Sequence, residues 1–243
     1  MSMENSELTV LEGVNWSISE ADFWVVGGMP ASGKSDLLAT AAGLLRPQRG
    51  ALHLFGRDTA SFHGDELARE RLRVGLVFGD GGRPFRYLTV AENLAMPMCY
   101  HQDCAPAQVE STVNAMLEYT GLDFLAHQPA SRLNRSWRQR VGLARALILH
   151  PEVLLLDNPL AGMDPRQASW WMGFLGKLSA GHELYHGRPL TLAVATDDFR
   201  PWLAQGRQFA LLKQNHWLPL GGPADLDRCA EPLVQELLAS PVR

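Results

Sequence analysis

Residues 28–35 read Gly-Met-Pro-Ala-Ser-Gly-Lys-Ser and match G-x-x-x-x-G-K-[ST] at every fixed position. That pattern is a phosphate-binding loop, whose glycines let the backbone curl so that successive N–H groups face an anion. It constrains the fold because it works between a strand and a helix N-terminus, where free N–H groups and the helix dipole favour negative charge. The flanks comply. Residues 22–26 are a short, mostly apolar run ending in Gly27-Gly28, and residues 35–45 are apolar at helical spacing. The expected nucleotide-binding residues are Gly28, Met29, Pro30, Ala31, Ser32, Gly33, Lys34, Ser35 and Asp36. Lys34 would reach the β- and γ-phosphates, and Ser35 would hold Mg²⁺.

The 243 residues, 46% of them hydrophobic, suit one α/β domain with room for a smaller inserted unit. A formal net charge of −4 and the absence of any Lys/Arg cluster argue against nucleic acid as a direct partner. Cys99, Cys104 and Cys229 are odd in number and lack metal-ligand spacing, as for reduced thiols of a cytosolic protein. Residues 1–12 are polar and acidic, unlike a signal peptide. No apolar run approaches the roughly 20 residues that span a bilayer. Direct membrane insertion is not expected, and any membrane role would come through a partner.

Val14, Trp16 and Ile18 alternate with polar residues, which predicts a half-buried strand feeding the loop strand. Further strands are expected at 50–55, 73–78, 153–156, 190–195 and 209–212, and helices near 65–71, 138–150, 166–178 and 231–238. Residues 79–86, glycine-rich and containing Pro84, read as a loop. From 91 to about 132 the pattern is helical, with Val109, Val113, Met116 and Leu117 on one stripe that reads as core packing. Strands and helices alternate, with a helical block inserted in the middle. The fold class is α/β with a parallel sheet.

Val153-Leu-Leu-Leu-Asp157 is an apolar strand ending in a carboxylate, as in a Walker B element that holds Mg²⁺ beside a phosphate loop. Upstream, residues 133–147 read Leu-Asn-Arg-Ser-Trp-Arg-Gln-Arg-Val-Gly-Leu-Ala-Arg-Ala-Leu. Here the chain resembles the ATP-binding subunits of ABC transporters, where L-S-G-G-Q-x-Q-R-V-x-x-A-R-A-L precedes L-L-L-D-E-P-x-x-x-L-D. The shared positions include Gln139, Arg140, Val141, Ala144, Arg145, Ala146, Leu147, Pro159 and Asp164. Tyr87-Leu-Thr-Val-Ala-Glu-Asn93 and the tail from Leu220 also look like the family. The resemblance implies a P-loop NTPase fold: a RecA-like parallel-sheet core with N-terminal antiparallel strands, at about 1–90 and 151–243, plus a small helical subdomain at about 91–150. It further implies ATP and Mg²⁺ as ligands, transmembrane permease subunits as partners, and a second ATP-binding chain in a homo- or heterodimer. Each ATP would lie between one chain's phosphate loop and the other's signature helix. The location implied is cytoplasmic, peripheral at the inner face of the cell membrane.

The departures from the family fall on the positions that do chemistry. After Asp157 the family has Glu, which polarises the attacking water; here it is Asn158, whose amide can orient a water but cannot take its proton. After Thr196 the family has His, a γ-phosphate contact; here it is Asp197, whose charge opposes phosphate. After Phe78 the family has Gln; here it is Gly79, with Asp80 beside it as an exposed loop acid or a substitute. The signature becomes Asn134, Arg135, Ser136 and Trp137. Side chains at the two former glycines crowd a phosphate, Asn134 reads as a helix cap, Arg135 reads as a solvated surface residue or an added charge contact to the γ-phosphate, and Trp137 reads as packing at the dimer interface or against the subdomain. Ala31 replaces a loop glycine, tolerable if its φ is not positive. Asp36 stands where the family has a Thr near the α-phosphate. No aromatic precedes Trp16, itself read as core, so either the start is truncated or adenine stacking is weak or supplied elsewhere.

Three readings follow: a working transporter ATPase, a nucleotide-binding pseudo-ATPase acting as a regulatory or structural subunit, and an interaction module with a relic loop. The retention of Lys34, Ser35 and Asp157 disfavours the third. The substitutions at Gly79, Asn158 and Asp197, together with the altered signature, predict weak hydrolysis.

Overall fold

The computed structural model describes residues 11–80, 83–103 and 105–239. Its centre is a mixed six-stranded sheet of β1 (Phe23–Gly28), β4 (Val74–Val77), β5 (Val153–Asp157), β6 (Thr191–Thr196), β7 (Gln208–Lys213) and β8 (His216–Gly221), in the order β4-β5-β6-β1-β7-β8. The first five strands are mutually parallel, and β8 returns antiparallel along β7. β6 is buried along its whole length, and Val25 and Val26 of β1 and Leu154 to Leu156 of β5 are as deeply buried. Parallel strands covered on both faces read as continuous apolar runs, which is why these segments are visible in the sequence.

Helix α1 (Lys34–Ala41) turns Leu37 and Leu38 onto β1, β5 and β6. Two short strands, β2 (His53–Leu54) and β3 (Arg57–Asp58), form the antiparallel pair of the N-terminal part, followed by α2 (Glu66–Leu72). Helix α3 (Val90–Gln102) starts at a capping box between Thr89 and Glu92. Buried Asn93 donates to the carbonyls of Phe85 and Thr89 and accepts from the Phe85 N–H, which pins the preceding turn. Helix α4 (Pro106–Thr120) packs on α3 through the Val109, Val113, Met116 and Leu117 stripe, so that stripe is core. Helix α5 (Arg135–Leu147) packs on α3, α4 and the edge strand β4. Pro165 and Pro232 open α6 (Pro165–Ala180) and α8 (Pro232–Leu238), with α7 (Pro223–Leu226) between them.

The N-terminal strand at Val14 to Ile18 does not form. Residues 13–20 make no ladder, and only Glu12 bridges to His216. The alternation serves packing only in part: Trp16 lies against Trp24 and Trp217 with ring centroids 6.0 and 5.3 Å apart and Ile18 packs beside them, whereas Val14 is exposed. The strand at 50–55 shrinks to two residues, and β8 was not expected. Cys99 and Cys229 are free thiols; Cys104 and the start at residues 1–10 lie outside the described residues. Among the described residues, no helix is long and apolar enough to cross a membrane.

Candidate functional site

Four neighbouring parallel strands end along one edge of the sheet. Register pairs Gly27 with Thr196, Asp157 with Ala195 and Val77 with Leu156. The residues that follow these strands, from Gly28, Gly79, Asn158 and Asp197 onward, therefore converge, as ligand sites do at strand carboxyl ends. A cavity of about 410 Å³ opens there, lined by residues 30–36 together with Gly79, Arg135, Asp157, Asn158 and Ala161.

The phosphate loop has the geometry that its sequence demands at one point and strain at another. Gly33 caps α1 with φ 91°, a backbone that a glycine adopts freely. Ala31 has φ 61°, so the condition for tolerating it is not met, and the methyl strains a left-handed backbone. Gly28 is needed for space: a Cβ there would lie 2.6 Å from Ser32 Oγ and 2.9 Å from the Leu212 carbonyl oxygen.

Lys34 is 7% exposed and folds over its own loop, its Nζ donating to the carbonyls of Gly28 at 2.5 Å and Met29 at 2.7 Å. Burial pulls the Lys34 ammonium below its ordinary pKa, opposed by the nearby carboxylates of Asp197 and Asp157. Asp197 thus faces Lys34 electrostatically although it does not line the cavity. Ser35 Oγ donates to Asp157 Oδ2 at 2.7 Å. These two oxygens share one point, as Mg²⁺ held by a hydroxyl, a carboxylate and phosphate oxygens would require. Among the described residues no group of three or more His, Cys, Asp or Glu is placed to hold a metal, so the remaining ligands would be phosphates and water. Asp36 lines the cavity in the first turn of α1.

Asn158 follows β5 with φ 42°, its N–H bonded to the Ala195 carbonyl. Asparagine is among the few residues that accept this left-handed backbone readily. Gly79 is closely packed: a Cβ there would lie 2.8 Å from the Asp157 carbonyl oxygen. Asp80 pairs with exposed Arg83 at 2.7 Å and is absent from the cavity lining, so it is not a substitute in the site.

The signature residues separate. Asn134 caps α5, accepting from the Trp137 N–H at 3.0 Å. Trp137 stacks edge-on against Phe124, and Arg140 lies over the rings of both Trp137 and Trp170. Neither Asn134, Ser136 nor Trp137 lines the cavity, whereas Arg135 does, donating to the Gly79 carbonyl at 2.8 Å. That placement of Arg135, and the lining role of Ala161, were not readable from spacing. Gln139 fixes the same strand end by donating to the Phe78 carbonyl. The cavity lining contains no aromatic, and Trp16 is occupied with Trp24 and Trp217.

Comparison with known proteins agrees with this geometry. The family described as ABC transporter matches residues 11–161. The sulfate/thiosulfate import ATP-binding protein CysA of Nephroselmis olivacea is 30% identical over 225 residues, covering 92% of this chain but only 62% of that protein's length. A putative ABC transporter ATP-binding protein of Caldanaerobacter subterraneus subsp. tengcongensis is 30% identical over 203 residues, 82% of this chain and 79% of that one. Among solved structures, the dimeric post-hydrolysis state of the ATP-binding cassette MJ0796 bound to ADP and Pi is similar with a TM-score of 0.77 at 26% identity, covering 91% of this chain and 95% of that one.

Proposed function

We propose, given that this chain belongs to the ABC transporter family of ATP-binding domains, that it is the ATP-binding subunit of a transporter complex and holds Mg-ATP far better than it hydrolyses it. One observation carries this: Lys34, Ser35 and Asp157 meet at one cavity, while the groups that would assist attack of water are the amide of Asn158 and the carboxylate of Asp197. The phosphate loop and the α1 N-terminus supply N–H donors to the phosphates, and Lys34 supplies a positive charge. When bound, Mg²⁺ would neutralise phosphate charge, with Ser35 and Asp157 as its protein ligands. Asn158 orients a water without taking its proton, so the barrier to attack stays high. The family's association with permeases supports a position at the cytoplasmic face of the cell membrane, with transmembrane subunits and a second cassette as partners. Residues 1–90 and 151–243 act as the nucleotide-binding core, and 91–150 as the helical unit that faces those partners. The relatives named as import proteins favour an import system.

A pseudo-ATPase, acting as a regulatory or structural half of the complex, is the second reading. It is favoured by Gly79, where the packing against Asp157 leaves no room for the side chain the family uses. Both readings require nucleotide binding. Equilibrium titration of the full chain with Mg-ATP tests that requirement: saturable binding lost in Lys34→Ala supports it, and no binding by the unmodified chain overturns it.

A further inference from the structure

The chain's seven Trp, four Tyr and nine Phe all lie among the described residues, so each ring has a place in the structure. None of them lines the nucleotide cavity. We propose that the site recognises its ligand by phosphates and metal alone, and takes Mg-triphosphates without regard to base, inorganic tripolyphosphate included. The proposal rests on the nucleotide-binding reading above and narrows what that binding recognises.

The placement of the rings carries it. Trp16 is the first aromatic of the chain and the one that precedes the strand feeding the phosphate loop. Its ring is turned inward onto Trp24 and Trp217, against the clusters that hold Leu37 and Leu38 of α1, and its Nε1 is buried. Trp24 donates its own Nε1–H to Asp22. The exposed rings are Phe55, Phe85, Tyr87, Tyr100 and Phe124, and all five are placed elsewhere. Phe55 lies under the Arg73 guanidinium at the start of β4, the end away from the cavity. Asn93 holds Phe85 through both its main-chain groups, in the turn before α3 that also carries Tyr87. Tyr100 sits beside His101 near the end of α3, and Phe124 meets Trp137 edge-on. A base leaving the phosphates therefore finds no ring of this chain in the cavity wall to lie on. Stacking on an aromatic ring is worth about 5- to 150-fold in affinity, and this site forgoes it.

The groups that the cavity does present suit phosphate and metal. The loop and the start of α1 supply N–H donors, Lys34 supplies positive charge, and Ser35 and Asp157 supply oxygens for Mg²⁺. All of these are blind to the base, because the triphosphate and its metal are the same in every nucleotide. A carboxylate such as Asp36 accepts from an amino group of adenine or of guanine, so it does not choose between them.

The test is competition in equilibrium dialysis of the full chain against labelled Mg-ATP, with Mg-GTP, Mg-CTP, Mg-tripolyphosphate and adenosine as competitors. Mg-GTP and Mg-CTP should match Mg-ATP within about three-fold, below the range that stacking opens. Mg-tripolyphosphate should compete within about ten-fold of Mg-ATP, and adenosine should displace no label even at about a thousand-fold excess over the Mg-ATP Kd. A preference of about ten-fold or more for one base, displacement by adenosine, or failure of tripolyphosphate to compete each overturns the proposal. Those results leave the nucleotide-binding reading standing, because labelled Mg-ATP is still held. If the chain holds no Mg-ATP, that reading fails and the proposal falls with it.

Discussion

The carbonyl oxygen of Asp157 lies 2.8 Å from the place a Cβ on Gly79 would occupy. The loss of glutamine at this position is therefore built into the main-chain packing of β4 against β5, and restoring the side chain requires that packing to move. Gly79→Gln should destabilise the fold by roughly 1–3 kcal/mol, the usual cost of forcing atoms into a packed site, and should not raise ATP turnover. Urea unfolding and a steady-state phosphate-release assay check the two halves. A stable, more active Gly79→Gln would show that the close approach is not obligatory.

Ala31, at φ 61°, is strained in the middle of the phosphate loop. Ala31→Gly relieves a left-handed penalty of about 1–2 kcal/mol but adds chain entropy to the unfolded state worth about 0.4–1 kcal/mol. The net expectation is a gain of about 0.5–1 kcal/mol in the urea midpoint analysis, with Mg-ATP affinity equal or higher. Destabilisation by this glycine would contradict the strained loop.

Lys34 gives the nucleotide-free chain a signature in pH. Burial holds its folded pKa below the ordinary 10.5, against the partial opposition of Asp197 and Asp157. Between the lowered value and 10.5 the unfolded chain binds more protons at this site, so stability contributed by Lys34 rises with pH across that window. The neutral variant Lys34→Met removes that slope. Urea unfolding of both chains from pH 8.5 to 10.5 should show the difference in stability moving in favour of the unmodified chain as pH rises.

Asn158→Glu together with Asp197→His restores a base and removes a carboxylate from the neighbourhood of Lys34. General-base assistance is worth roughly 10²- to 10⁴-fold, so turnover should rise by about 10²-fold, near the low end of that range, because Glu accepts the φ of 42° at this position less readily than Asn. Assays of the double variant, alone and with its cassette partner, check this. No gain in either setting assigns the defect to the signature positions instead.

Much of this was legible in the sequence. The buried parallel strands β1, β5 and β6 are continuous apolar runs, and the loop motif marks where β1 ends. Both motifs imply the same metal, and Ser35 and Asp157, 122 positions apart in sequence, are hydrogen-bonded to each other. What escaped has physical causes. Strand β8 carries Pro219 at the sheet edge and follows a turn at Gln214 and Asn215, both at positive φ, that lacks the usual glycine. Of the alternating residues, Trp16 and Ile18 pack beside Trp24 while Val14 is exposed, and such partial burial needs no ladder. The Ala31 φ, the Gly79 clearance and the reach of Arg135 into its own chain's cavity depend on tertiary approach, which spacing does not encode.

The central claim, retention of ATP binding with impaired cleavage, is tested most directly by steady-state ATP turnover of the full chain at saturating Mg-ATP, with Lys34→Ala as control. The account predicts saturable binding and a turnover well below about 1 s⁻¹, the lower range of ordinary enzymes. A turnover of about 1 s⁻¹ or more that disappears in Lys34→Ala would contradict it.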